Sequence, residues 1–498
     1  MSETCRGAPG TEGTHRASSI PILNIVEYIL TRNQETSYPS RSLNFLKRFQ
    51  GTPQRHDNTS KHSQYMPLET SLTTEAKVKL RITIVGAGLG GLAAAIALRR
   101  RGHTVSILEK APELGEVGAG IQVPPNSSRL LLKWGLGPYL QGKAIEPEAI
   151  RMRRWQDGEV LSITKLRPDF RERFGAPYFV VHRANLQLSM YDLALSLGVE
   201  VRVNAGVKSY DAGTPSVVLE NGEVHKADLI IAADGIKSEA RRIVLGGEDQ
   251  PPEKCGAMVD ADLMRNDPEV SWLLEPGQNF WLGDQRHAVT YTIAGGKSFN
   301  MVLSHPEDSD PSTWNQDTVI EDMKRHFRSW DPRLVKAISM IRKTLKWPLL
   351  SGRPLRKWLS PSHNLVIIGD AAHAMVPYMS EGAAMAVEDG AALAEVLSLI
   401  ESPDELHSAL EVFERQRILR TGQMQEASLV NGKLWHFADG PEQRARDAAM
   451  KLEMGEKRVE DTPNQWSDSV TSGWTYGYDA EAEIRRAWRE NRARNLKL

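Results

Sequence analysis

Gly86, Gly88 and Gly91 stand in Gly86-Ala87-Gly88-Leu89-Gly90-Gly91 at the spacing G-x-G-x-x-G, and Glu109 follows Gly91 by 18 residues. Each part of this pattern has a chemical reason. Gly86 permits a tight turn, Gly88 lets backbone approach a pyrophosphate, and Gly91 lets a helix pack closely on a strand. A helix opening there offers free N–H groups and a partial positive charge to the phosphates. A carboxylate at the end of the next strand accepts hydrogen bonds from a ribose hydroxyl. The spacing alone is weak evidence; its setting makes it specific for an adenine dinucleotide.

That setting is a βαβ unit of about 30 residues. Leu80-Arg81-Ile82-Thr83-Ile84-Val85 reads as a β-branched strand. Leu92 to Arg101 reads as a small-residue helix ended by Gly102, and His103 to Glu109 as a second strand. The unit begins a parallel, doubly wound sheet. A helix is expected over 183–198, a strand at Val199–Val203, a hairpin-like stretch to Val224, and a buried strand over Asp228–Ala233. Residues 250–360 change character. Phe280–Leu282, Ala288–Ile293 and Phe299–Leu303 read as antiparallel sheet that can hold a substrate. The buried-strand pattern returns at Asn364–Ile368, with helices expected from about Gly382 to Ile400 and from Pro403 to about His436, then a Trp-rich tail read as packing. There is no internal repeat.

Composition narrows the function. The chain has 498 residues with 62 basic and 63 acidic side chains, a formal net charge of −1. Such balance excludes a strong overall attraction to nucleic acid or anionic lipid. No apolar run reaches the ~18–20 residues that a bilayer requires; Leu92 to Leu98 stops at Arg99-Arg100-Arg101. Cys5 and Cys255 make no disulfide framework and no metal-ligand spacing. A cytoplasmic location is expected, with a mitochondrial one as the alternative, Arg6 and Arg16 being diluted by Glu3 and Glu12. Residues 1–77 are polar and Pro-containing and are expected to be a disordered extension.

The strand Asp228–Ala233 runs into Asp234-Gly235-Ile236-Lys237-Ser238, and Asn364–Ile368 into Gly369-Asp370-Ala371-Ala372-His373. With these segments the chain resembles the single-component FAD-dependent aromatic hydroxylases, in their salicylate hydroxylase-like fungal branch. The resemblance covers about residues 80–490. It includes Gly115-Glu116-Val117-Gly118-Ala119-Gly120-Ile121-Gln122, His182-Arg183-Ala184-Asn185-Leu186, Pro377 with Glu381-Gly382-Ala383-Ala384, Pro463-Asn464-Gln465-Trp466 and Tyr476-Gly477-Tyr478-Asp479.

The resemblance implies an α/β fold of the glutathione-reductase and p-hydroxybenzoate-hydroxylase type. A discontinuous Rossmann-like FAD-binding domain (78–250 and 345–400) is interleaved with an antiparallel substrate sheet (251–344), and a helical C-terminal region (401–498) follows. It also implies roles for residues. Glu109 holds the adenosine ribose, Gln122 contacts the flavin, and Arg183 reaches the pyrophosphate, its guanidinium fork suiting phosphate oxygens. Asp370 binds the ribityl chain. Gly382 and Ala383 begin a helix facing the pyrimidine edge of the flavin, and Asp234 lies near both FAD and the nicotinamide donor. His373 is expected to be scaffold. The absence of a second glycine fingerprint matches transient use of NAD(P)H.

Three positions depart from the family pattern. The Tyr-Arg pair common after the Asp-Gly motif falls near Cys255-Gly256, which has neither side chain. Ser351-Gly352 replace an Asp-Arg pair ahead of Arg353-Pro354-Leu355. Glu381 replaces a Gln, and its carboxylate opposes negative charge on a reduced flavin unless it is protonated or turned away. Tyr291, after Gly283-Asp284-Gln285-Arg286-His287, is the candidate catalytic residue at the substrate or flavin face, or else a buried structural tyrosine. Arg286 and His287 are weaker candidates, and no residue stands out as a base. The implied reaction is NAD(P)H- and dioxygen-dependent hydroxylation or epoxidation of an electron-rich aromatic or heteroaromatic small molecule in secondary metabolism. A flavin dehydrogenase or oxidase, or a flavin-binding protein without turnover, are the alternatives. The exact substrate and the oligomeric state stay open.

Overall fold

The computed structural model describes residues 74–115, 119–247, 264, 267–306, 315–342, 344, 346, 349, 351–455 and 462–495. The proposed extension, apart from 74–77, lies outside the described residues, as do Glu116-Val117-Gly118 and Cys255-Gly256.

Strand β1 (Arg81–Val85) is buried from Ile82 onward, as a run of β-branched residues in the middle of a parallel sheet should be. Gly88 caps helix α1 (Leu89–Arg100), whose buried face is built largely of alanine. Gly102, at φ +86°, turns the chain into β2 (Thr104–Leu108). Next come β3 (Gly120–Val123), helix α2 (Pro125–Lys133), β4 (Ala149–Arg154), β5 (Val160–Lys165), β6 (Phe179–His182), α3 (Arg183–Ser196) and β7 (Glu200–Arg202). A meander of β8 (Val207–Asp211), β9 (Ser216–Leu219) and β10 (Val224–Lys226) leads to β11 (Leu229–Ala232).

Strands β12 (Gln278–Gly283), β13 (Arg286–Ile293) and β14 (Ser298–Ser304) follow, then β15 (Leu365–Ile367) and the short α4 (Asp370–His373). The remainder is helical: α5 (Gly382–Ser398), α6 (Leu406–Trp435), α7 (Pro441–Lys451), α8 (Ser469–Tyr476) and α9 (Ala480–Asn495).

Two five-stranded sheets organise the molecule. The parallel sheet has the order β15-β11-β1-β2-β7. Its strand order reverses at β1, and ligands of such sheets bind beyond the strand ends at that point. Helix α5 lies against α1 so closely that a Cβ on Gly390 would fall 2.7 Å from the Ala94 nitrogen. The second sheet has the order β14-β13-β12-β4-β5. The sheet expected over 251–344 to hold a substrate is therefore not confined to that range: β4 and β5, from 149–165, belong to it, with β4 parallel to β12. Local patterning does not reveal that pairing because the partners lie more than a hundred residues apart. The C-terminal aromatic segment is equally integral. Trp466 is fully buried and stacks on Trp435 at 5.8 Å. No helix among the described residues is long and apolar enough to cross a membrane.

Candidate active site

The glycine turn is built as tightly as its backbone allows. Gly86 has φ +103°, and a Cβ there would meet the Ala233 carbonyl oxygen at 2.4 Å. At Gly91 a Cβ would lie 2.0 Å from the Gly86 oxygen, so helix and turn touch. Gly88 differs: a Cβ there would meet nothing within 4 Å, and no side chain caps the helix it opens. The first N–H groups of α1 are left to a ligand. Glu109 is fixed beside them, Oε2 accepting from the Ala87 N–H at 2.7 Å and Oε1 from Ala111 at 2.8 Å.

This turn borders a cavity of about 620 Å³. Gly86, Gly88, Glu109, Arg183, Asp234 and Asp370 line it, as do Gln122, Gly382, Ala383 and Tyr291; Gly91 lies behind the wall. Arg183 is the first residue of α3. Asp234 accepts from the Tyr210 hydroxyl at 2.9 Å through Oδ2, while its buried Oδ1 has no protein partner. An orphaned acceptor and an uncapped helix on one cavity fit the hydroxyls and phosphates of a dinucleotide.

Asp370 is presented by a rigid support. The preceding Gly369, at φ +61°, donates its N–H to Asp389 at 3.0 Å. Asp389 in turn bonds His373 Nε2 at 2.6 Å and accepts from Arg417 at 2.7 Å. Burial pushes the Asp389 carboxyl up, but His373 and Arg417 outweigh it and hold the group at about 2. His373 is thus tied to the support of the turn.

Across the cavity, Gly120 donates its N–H to Asn300 Oδ1 at 2.7 Å. The Tyr291 ring leaves no room for a side chain on Gly120: a Cβ would be 2.5 Å from Tyr291 Cε2. Burial pushes the Tyr291 hydroxyl up, so it is a neutral donor. Gln122 accepts from the Tyr178 hydroxyl. Glu381 does not line the cavity. Its Oε2 accepts from Asn126 Nδ2 at 2.9 Å, and the same amide donates to Glu388 at 2.8 Å. Burial raises the Glu381 carboxyl to about 8, so it is mostly neutral at pH 7.

Sequence reasoning missed Phe280 and Trp435, which line the cavity beside Tyr291, and His436, which contacts His287. The alternation of β13 carried a signal for His287, since residues two apart share a face. Trp435 and His436 come from the far end of α6, with no local signal.

Residues 79–428 match the family described as FAD binding domain. The chain is 36% identical over 415 residues to FAD-dependent monooxygenase OpS4 of Beauveria bassiana (strain ARSEF 2860), an alignment covering 81% of this chain and 96% of that protein. It is 30% identical over 404 residues to 3-hydroxybenzoate 6-hydroxylase of Polaromonas naphthalenivorans (strain CJ2), covering 80% and 96%. Among solved structures, FqzB aligns with a TM-score of 0.70 and 25% identity over 86% of this chain and 96% of that one. A salicylate hydroxylase substrate complex shares the fold, with a TM-score of 0.66 and 23% identity over 83% and 98%.

Proposed function

The chain belongs to the FAD-binding-domain family and is an FAD-dependent monooxygenase, and from that premise we propose that it uses NAD(P)H and dioxygen to hydroxylate or epoxidise an electron-rich aromatic or heteroaromatic small molecule in secondary metabolism. One observation carries the reading: a single cavity extends from the glycine turn to a wall containing Phe280, Tyr291 and Trp435. Cofactor and aromatic ring would share one enclosure.

The residues present fit FAD. Glu109 would take the adenosine ribose, the α1 N-terminus and Arg183 the pyrophosphate, and Asp370 the ribityl hydroxyls. Gln122 and the α5 N-terminus at Gly382 and Ala383 would meet the flavin ring. The orphaned Asp234 oxygen would receive a donor from FAD or the nicotinamide. Bound FAD supplies hydride acceptance and oxygen activation. The protein must orient the ring and exclude water. Phe280, Val289 and Val302 line the cavity and would keep that part of it dry, and the neutral Tyr291 hydroxyl would donate to the substrate or cofactor. Turning Glu381 towards Asn126 and holding it protonated spares the reduced cofactor a nearby negative charge.

Purified protein should be yellow. A substrate should accelerate NAD(P)H oxidation and carry one labelled atom from isotopic dioxygen into the product. An absence of label across a broad panel of phenols and indoles would overturn the proposal.

A further inference from the structure

Among the described strands, β14 is the outer one of the second sheet, paired only with β13. His305 directly follows it, so this ring stands where the chain leaves the sheet. Beside it runs the helix Gln316–Phe327, on which Asp322 and His326 are four residues apart and share a face. One nitrogen or carboxylate oxygen from each of the three side chains lies within 4.8 Å of the other two. His326 Nε2 is 3.7 Å from Asp322 Oδ1. The His305 and His326 rings are stacked, with centres 4.1 Å apart and planes 16° from parallel. His305 is buried and the other two are half-buried. None of the three borders the cavity.

We propose that His305, Asp322 and His326 bind a zinc-class divalent cation, at a site separate from the flavin cavity, that fastens the end of β14 to this helix. The donor set has the right chemistry. Imidazole and carboxylate both suit zinc, and three protein ligands leave a position for water. The outer contacts orient these donors. His305 Nδ1 is 2.9 Å from the Pro306 carbonyl oxygen, which can only accept. The ring proton is therefore on Nδ1 and the lone pair on Nε2. A backbone carbonyl on the second ring nitrogen is a common support of a metal-bound histidine. Asp322 Oδ2 accepts from Lys346 at 3.0 Å, which leaves Oδ1 for the metal. Arg325 also reaches Oδ1, but its side chain is 69% exposed and swings into water when a dication takes that oxygen. Arg286 of β13 donates to the His326 carbonyl at 2.6 Å and ties that turn of the helix to the sheet.

The two rings must turn to bind. A metal lies in the plane of each imidazole that holds it, and two stacked planes share no such point. Rotation about the terminal torsion, which is soft in histidine, brings both Nε2 atoms onto one ion. The link would close the 17 positions between His305 and Asp322, and a clip of that kind removes freedom from the unfolded chain. An ion held only by the folded chain also adds its binding free energy to folding. An edge strand, bonded along one side only, is where such a clip contributes most.

The test uses the full-length, FAD-loaded protein, first stripped with a chelator, and Co²⁺ as the probe because its visible bands report coordination. The wild type should bind one Co²⁺ per chain, with absorption at longer wavelength than the flavin bands, and Zn²⁺ should displace it. His305→Gln and His326→Gln should each weaken binding by more than the ~10–100-fold that loss of an outer contact costs. Flavin absorbance checks that both variants fold. Zn²⁺ should raise the thermal midpoint of the wild type but not of either variant. X-ray absorption of the zinc-loaded wild type needs no variant: it should show imidazole nitrogen at about 2.0–2.1 Å and no sulfur. No bound Co²⁺, equal binding by the wild type and both variants, or a sulfur ligand from Cys5 or Cys255 would overturn the proposal.

Discussion

The hydroxyl of Tyr178 donates to Oε1 of Gln122, and the indole N–H of Trp466 reaches the same hydroxyl at 3.4 Å. With its carbonyl oxygen engaged, Gln122 has its amide N–H groups left for the cavity, where a flavin ring would offer acceptors. The C-terminal aromatic segment thereby sets the orientation of a residue more than three hundred positions earlier.

Tyr178→Phe removes that constraint while preserving the packing of the ring. A buried acceptor left without its donor costs about 1–3 kcal/mol. Urea unfolding of the variant should show a loss of that size, and its bound flavin should have an altered visible spectrum. An unchanged spectrum would argue against Gln122 touching the flavin.

Two of the glycines should fail differently. Gly88→Val enters open space, so the protein should fold, with native circular dichroism, but purify with little or no flavin. Gly91→Val would drive its side chain into the Gly86 carbonyl, where a Cβ has only 2.0 Å, and should not yield folded protein. The yield of folded protein, read by circular dichroism, distinguishes the two, and flavin content then identifies the Gly88 variant.

Glu381 makes stability depend on pH. Its carboxyl titrates at about 8 in the folded chain, because burial disfavours the charged form, against an ordinary value of 4.5. Its contribution is complete below the unfolded value and is lost as pH rises to about 8, levelling off above that. Glu381→Gln keeps an acceptor for Asn126 and removes this loss. Relative to wild type, the variant should gain stability between pH 5.5 and 8, by on the order of 3 kcal/mol, as measured by denaturation at each pH. A flat difference would show that Glu381 is not buried as a neutral acid.

Arg417 joins two buried acids, donating to Glu388 at 2.8 Å and to Asp389 at 2.7 Å. Arg417→Met would leave both with less compensation. The expected destabilisation is about 3–5 kcal/mol. Flavin retention should fall as well, since Asp389 also holds the Gly369 N–H behind Asp370.

The dinucleotide end was legible in the sequence because its chemistry is local. A glycine turn, the strand before it and the acid after it fall within about thirty residues, and their conformational demands select residue types directly. The same holds for Asp234 and Asp370, each at the end of an apolar strand. The end of the cavity proposed for the substrate was less legible because it is assembled from distant pieces. The β4–β12 pairing, the Tyr178–Gln122 bond and the contact between His287 and His436 depend on tertiary placement that no local periodicity encodes. Glu381 was readable as an anomaly, but its partner Asn126 was not.

The interleaving of the two sheets has a practical corollary. Strands β4 and β5 leave the nucleotide-binding portion, complete the other sheet and return before β7, so no single cut divides the molecule into halves that each retain a finished core. Swapping contiguous segments between relatives should therefore give insoluble chimaeras, and altered substrate preference is better sought by replacing individual wall residues.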